Sequence, residues 1–268
     1  MMKPLIEFNG VGKSFPLYHS LHASFKSFLL GLPKSLKKFR SERFVALEDI
    51  SFRVNAGETL GLIGKNGSGK STTLGLIAGV LEPSIGRVIV RERVSPLLEL
   101  GGGFHPDLTG RENILLKGVL LGLPRKFVSG KSDEILDFAE LPSFADQPIR
   151  TYSSGMLARL GFSIITQLQP KLLLIDEVLA VGDVRFKEKC YGVIEGFKKK
   201  GVTMLLVSHS PYEIRRLCDR AIWIDSHRIK DDGPVGRVLE GYLKAMQQGS
   251  PNLHKPERIA TKAPSHKQ

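Results

Sequence analysis

The stretch that most constrains this chain is Gly64-Lys65-Asn66-Gly67-Ser68-Gly69-Lys70-Ser71. It satisfies the pattern G-x-x-x-x-G-K-[ST] at every fixed position. An apolar, strand-like run, Thr59-Leu60-Gly61-Leu62-Ile63, feeds it, and Thr72-Thr73-Leu74-Gly75-Leu76-Ile77-Ala78 reads as the first turns of a helix. A strand, a glycine-rich loop and a helix in that order present a nest of backbone N–H groups at a helix N-terminus, which draws phosphate oxygens. Glycines allow the backbone to fold tightly and approach a phosphate without a Cβ in the way. Gly64, Lys65, Asn66, Gly67, Ser68, Gly69, Lys70, Ser71 and Thr72 are therefore the candidate phosphate-binding set. Lys70 is placed to reach β- and γ-phosphates, and Ser71 to ligate Mg²⁺. A glycine-rich turn that matches by chance is the competing reading, and the flanking context argues against it.

The net charge of +12, with a pI near 9.7, fits nucleic acid, an anionic membrane surface or an acidic substrate, and does not choose among them. No apolar run approaches the ~20 residues of a membrane span. The start, Met1-Met2-Lys3-Pro4-Leu5-Ile6-Glu7, has no long apolar core of a signal peptide. Cys190 and Cys218 have no metal or redox spacing and read as buried, reduced thiols in helices.

Leu5 to Val11 and Leu47 to Val54 read as strands. Between them, residues 15–44 carry apolar positions Leu17, Leu21, Phe25, Phe28, Leu29, Leu32, Leu36 and Phe39 on one helical face, interrupted at Pro33 and crowded with Lys26, Lys34, Lys37, Lys38 and Arg40. A basic amphipathic insertion of this kind suits a membrane surface, a partner, or packing on its own domain. Pro83 to Gly86 reads as a turn and Arg87 to Val90 as a strand. Glu99 to Pro106, with three successive glycines, reads as a loop. Thr109 and Glu112 form a capping box, opening a mainly helical block over 97–165. Later strands are expected at Leu172 to Ile175, Val202 to Val207 and Ala221 to Asp225, the last with a short partner at Ile229-Lys230. A helix is expected at Val235 to Met246. The tail, 247–268, is basic and polar and reads as disordered.

Three further features carry chemistry. Asp176-Glu177 closes the apolar strand Leu172 to Ile175, where ligands bind in open α/β sheets. Asp176 would join the metal shell, and Glu177 would accept the proton of an attacking water. Alone, the pair reads more readily as a surface acidic strand end; the phosphate loop is what favours the metal reading. His209 follows the next buried strand and arrives at the same edge; a lone histidine at a strand end is more often structural, and this placement puts it in reach of a γ-phosphate. Ser153 and Gly155, in Tyr152-Ser153-Ser154-Gly155-Met156, open a helical pattern, where such residues serve as a cap or an anion contact.

In this order the motifs resemble the nucleotide-binding subunits of ABC transporters over about residues 5 to 245. The resemblance implies an α/β P-loop NTPase core of ABC type, a mixed sheet with an antiparallel part, with an inserted helical subdomain. The ATPase domain spans 1–246. It implies ATP and Mg²⁺ as cofactors, Lys70, Ser71, Asp176, Glu177 and His209 in the roles just given, and Ser153 and Gly155 contacting ATP held by a second copy. Val181-Gly182-Asp183 would cross the interface of that ATP-sandwich homodimer.

Where the family usually has Leu-Ser-Gly-Gly-Gln, Tyr152, Ser154 and Met156 depart. Where it has a glutamine beside the metal, Glu99 is the nearest polar residue. Phe15, Tyr18 and Phe44 are candidates for stacking on adenine. The variant segments, with Glu-Val-Leu-Ala-Val-Gly-Asp and Thr-Gly-Arg-Glu-Asn-Ile, are similar to exporters of lipid-linked O-antigen, capsule or teichoic acid. That implies two copies of an integral membrane permease, a lipid-linked polysaccharide as cargo, no nucleic acid, and a place on the cytoplasmic side of the bacterial inner membrane. An ABC ATPase for another cargo, or one acting on ribosomes or DNA, is the alternative.

Overall fold

The computed structural model describes residues 3–16, 43–97, 102–167, 169–176 and 182–248. Along the chain come β1 (Ile6–Pro16), β2 (Arg43–Val54), β3 (Thr59–Ile63), α1 (Lys70–Ile77), β4 (Ile85–Val90) and β5 (Val94–Leu97). A helical block follows: α2 (Gly110–Leu120), α3 (Arg125–Gly130), α4 (Ser132–Ala139) and α5 (Ser154–Ile165). The chain then returns to the sheet with β6 (Leu172–Asp176), α6 (Val184–Lys199), β7 (Thr203–Val207), α7 (Pro211–Leu217), β8 (Arg220–Asp225), β9 (Arg228–Pro234) and α8 (Val235–Gln248).

The apolar runs become the middle of a six-stranded sheet in the order β5-β6-β7-β3-β8-β9, parallel except for β9 at one edge. Each central strand is apolar on both faces, and period-two alternation shares its side chains between two cores. Leu60, Leu62, Leu172, Leu174, Leu205 and Val207 pack towards α1 and a second, antiparallel sheet, β2-β1-β4. Leu173, Ile175, Met204 and Leu206 pack towards Phe186, Tyr191, Ile194 and Phe197 of α6. A third core, with Ile114, Ile135, Leu136, Tyr152 and Leu160, belongs to the helical block.

Several boundaries differ from the sequence expectation. The partner of β8 is not a two-residue stub but runs over Arg228–Pro234, turned by Ser226 and His227 at φ 48° and 67°. β4 begins inside the expected turn, at Ile85, with Gly86 at φ 78° where the pairing with β1 shifts register between Asn9 and Gly12. α8 continues through Gln248, past the expected start of the tail. β1 and β2 extend to Pro16 and from Arg43, and pair there as Phe15↔Phe44, so the insertion leaves and re-enters at one point. Its interior, 17–42, and the tail beyond 248 lie outside the described residues, as do Glu99 and Glu177.

The thiol expectation holds with one change. Burial pushes Cys190 up to about 12 and Cys218 higher still. Cys218, however, sits on extended backbone at the end of α7 and not inside a helix.

Candidate functional site

Register places the site. Asp176 pairs with Val207, and Val207 pairs with Leu62, so the C-terminal ends of β6, β7 and β3 fall in one row. With strands spaced by about 4.8 Å, that row brings three segments to a single edge: the loop from Gly64, Asp176, and exposed His209 two residues past β7. The sequence expected this convergence, and parallel pairing produces it, because each crossover returns the chain to start the next strand in the same direction.

The loop is shaped by backbone that side chains would obstruct. At Gly64 (φ 155°) a Cβ would lie 2.2 Å from the Ile224 carbonyl oxygen, and at Gly69 (φ 112°) 2.4 Å from Leu47 Cδ2 and 2.6 Å from the Ala46 carbonyl oxygen. Both positions need glycine for space and for conformation. Gly69 is also the N-cap of α1 and supplies no side-chain acceptor, and no acidic residue stands in the first turn. The N–H groups of that turn therefore face the loop uncapped, with the positive end of the helix dipole behind them.

Lys70 is buried, and its Nζ donates to the carbonyl oxygens of Gly64 (2.9 Å) and Lys65 (3.1 Å), curling the ammonium over the loop. Thr73 donates to the Gly69 carbonyl oxygen at 3.0 Å, bracing the first turn from below. Among the described residues the buried Ser68 hydroxyl has no hydrogen-bond partner, a cost that a phosphate oxygen would relieve.

A cavity of about 250 Å³ opens beside the loop, lined by Phe44, Ala46, Asn66, Lys70, Ser71 and Thr72 among others. Of the three aromatic candidates, the structure puts Phe44 on this cavity. Phe15 is its cross-strand neighbour and does not line it; Tyr18 lies outside the described residues. Phe44 is 44% exposed and meets His227 edge-on, with ring centroids 5.6 Å apart. His227 Nδ1 lies 3.2 Å from the Ala46 carbonyl oxygen, and Glu48 N–H donates to the His227 carbonyl oxygen at 2.9 Å. The β8–β9 turn thus holds the start of β2, and with it Phe44, against the loop. Sequence reading missed His227 because it acts from a distant hairpin.

A larger cavity, about 510 Å³, lies between the start of β5 and the helical block, lined by Glu92, Arg93, Leu123, Phe127 and Lys171 among others, and shares no residue with the loop.

Ser153 and Gly155 do not line the cavity of about 250 Å³ beside the loop. Ser153 is the N-cap of α5, and its Oγ accepts the Met156 N–H at 3.2 Å. Tyr152 before it is buried, and its hydroxyl donates to the Phe144 carbonyl oxygen at 2.5 Å. Burial and nearby Asp146 raise its pKa, so it stays a donor. A Cβ on Gly110 would lie 2.4 Å from that hydroxyl. The tyrosine that departs from Leu-Ser-Gly-Gly-Gln and the glycine of Thr109-Gly110-Arg111 are therefore two halves of one packing solution.

The expected capping box is complete, with Thr109 and Glu112 bonded reciprocally. Asn113, fully buried, adds what the sequence did not reveal. It accepts the His105 N–H and donates to the carbonyl oxygens of His105, Leu108 and Thr109, stapling the loop after the glycine run to α2.

The family model for ABC transporter matches residues 47–180. An O-antigen export system ATP-binding protein, RfbB, of Klebsiella pneumoniae is 51% identical over 91% of this chain and 100% of its own length. The teichoic acids export ATP-binding protein TagH of Listeria monocytogenes is 41% identical over 88% of this chain and 69% of its own. Among solved structures, a dimeric ATP-binding cassette in a post-hydrolysis state bound to ADP and Pi superposes with a TM-score of 0.67 at 19% identity, over 86% of this chain and 98% of that one. The structure of an ATP-binding subunit of an ABC transporter gives 0.68 at 23%, over 89% and 93%. At those identities the structural likeness speaks for the fold.

Proposed function

We infer that this chain, which belongs to the ATP-binding subunits of the ABC transporter family, hydrolyses ATP to drive export of a lipid-linked polysaccharide across a bacterial inner membrane. The observation that carries the ATPase reading is the single sheet edge on which the uncapped phosphate loop, Asp176 and His209 meet. The cargo reading rests on the relatives, which are named for export of O-antigen and teichoic acids.

In this reading the loop N–H groups and Lys70 hold the phosphates, and Phe44 stacks on the base. Ser71 and Asp176 offer the hard oxygen donors that Mg²⁺ takes, with phosphate oxygens and water completing its shell. When bound, the ion neutralises charge on the β- and γ-phosphates. His209 contacts the γ-phosphate, and Glu177 accepts the proton of the attacking water.

A cavity of about 250 Å³ is smaller than the roughly 300–1,000 Å³ of enclosed ligand sites. The missing wall is a second copy of this chain, whose Ser153 and Gly155 close over the nucleotide. Closure and reopening of that homodimer move two copies of a membrane permease. Among the described residues no helix is long and apolar enough to cross a membrane; the chain sits against the cytoplasmic face through the permease. The basic insertion expected over 15–44 is a candidate contact for that permease or the anionic lipid carrier, with packing on its own domain as the alternative.

Copurification from membranes tests the assignment. The expected result is this chain with a multispanning partner and a lipid-linked glycan. Recovery with a periplasmic binding protein, or with ribosomes or DNA, would replace the cargo reading and leave the ATPase reading standing.

A further inference from the structure

The histidine loop is held by a carboxylate that the ATPase reading does not use. Glu213 lies in the first turn of α7, 4% exposed. Its carboxylate accepts from Ser208 Oγ at 2.5 Å and from Tyr191 Oη at 2.9 Å, and pairs with Lys187 Nζ at 2.9 Å. Burial works to raise its pKa, and the donors from Ser208, Lys187 and Tyr191 outweigh that, leaving it below the ordinary carboxylate value. A buried charge is tolerated when it is paired and its lone pairs are used, and both conditions are met.

The bonds run to both sides of His209. Ser208 Oγ, while donating to Glu213, accepts the Ser210 N–H at 3.0 Å; Ser210 Oγ in turn accepts the Glu213 N–H at 3.4 Å. Residues 208 and 210 are thus tied to one carboxylate and its own backbone, and His209 is left exposed between them.

The other two donors come from a different element. Lys187 and Tyr191 stand four apart on α6, hence on one face. α6 begins at Asp183, which caps it by accepting the Phe186 N–H at 2.9 Å. Arg216 of α7 reinforces the same seam, 4.3 Å over the Tyr191 ring and paired with Glu188 and Glu195 of α6.

We propose that Glu213 is a positioning residue, which fixes the His209 loop and couples it to the helix that starts at Gly182-Asp183. Movement of that helix start at the interface with a second copy is then delivered to His209 through one carboxylate. The inference rests on the reading of His209 as the γ-phosphate contact.

A double-mutant cycle on the full-length chain tests it, with steady-state ATP hydrolysis, ATP affinity and Tm measured for E213Q, H209A and the pair. Glutamine keeps the size and removes the charge that organises three donors. The expected result for E213Q is a kcat lower by roughly tenfold or more with KM within about twofold. The double variant should be no slower than H209A alone, since residues acting as a unit are not additive. Y191F, which removes a single donor, should show the same non-additivity at smaller amplitude and serves if E213Q does not fold. Losses that multiply, or a normal kcat in E213Q beside a slow H209A, would overturn the positioning role and leave His209 in place. A normal kcat in H209A would overturn both.

Discussion

Two helices of this protein begin at the residues that matter most, and they begin differently. α1 starts after Gly69 with no side-chain cap and no acidic residue in its first turn. α5 starts after Ser153, whose hydroxyl caps it. Both N-termini carry the same partial positive charge. Only the first is set in a loop whose left-handed glycines, at Gly64 and Gly69, press backbone against Ile224, Ala46 and Leu47. A helix start becomes a phosphate site when its donors are left open and the preceding backbone is bent to expose them. At the start of α5 one of the open donors, the Met156 N–H, is already taken by the Ser153 hydroxyl.

The largest effect expected from breaking this contrast is at Lys70. Lys70→Ala removes the charge aimed over the loop, and ATP affinity should fall roughly 10- to 100-fold, as for loss of a charge-assisted hydrogen bond of about 1.5–3 kcal/mol. Nucleotide titration checks it; unchanged affinity would remove the loop from the site. Glu177→Gln separates binding from chemistry. Turnover should be lost while ATP binding persists and a dimer accumulates in size-exclusion chromatography; normal hydrolysis would refute the base.

Next comes Gly69→Ala. The contacts at 2.4 and 2.6 Å and the φ of 112° should cost about 1–3 kcal/mol of stability and weaken ATP binding as well. Wild-type affinity would mean the loop tolerates a different shape. Ser153→Ala removes a cap, worth about 1 kcal/mol. If Ser153 also closes on the other copy's nucleotide, hydrolysis should fall about tenfold beyond what that small loss of stability explains. A fall in Tm with hydrolysis unchanged would reduce Ser153 to a cap.

The smallest effect is in the packing beneath α5. Tyr152→Phe should lower stability by about 1 kcal/mol, or Tm by about 2–4 °C. Gly110→Ala should cost more in wild type than in the Tyr152→Phe background, since the hydroxyl it strikes is then gone. Additive losses would separate the two residues.

The shape of the glycine-rich loop was legible because it is written in backbone, and the glycines that permit that backbone lie within one short stretch of sequence. Asp176 and His209 were legible one step further out, since parallel strands that end in polar residues end at the same edge. Phe44 was not separable from Phe15 by sequence. The two face each other across β1 and β2, and only the contact of Phe44 with His227 on a distant turn selects it. Likewise Tyr152 read as a mere departure until Gly110 was seen to lie against its hydroxyl.

By itself, then, the sequence determined the family, the order of the motifs and the sheet edge to which they come. Such features depend on residues near in sequence or on the direction of strands. The tertiary structure alone decided which aromatic lines the cavity and that Glu213 binds the histidine loop to α6. Those depend on side chains from distant segments meeting within about 3 Å, a distance set by strand register and helix packing and by no local pattern.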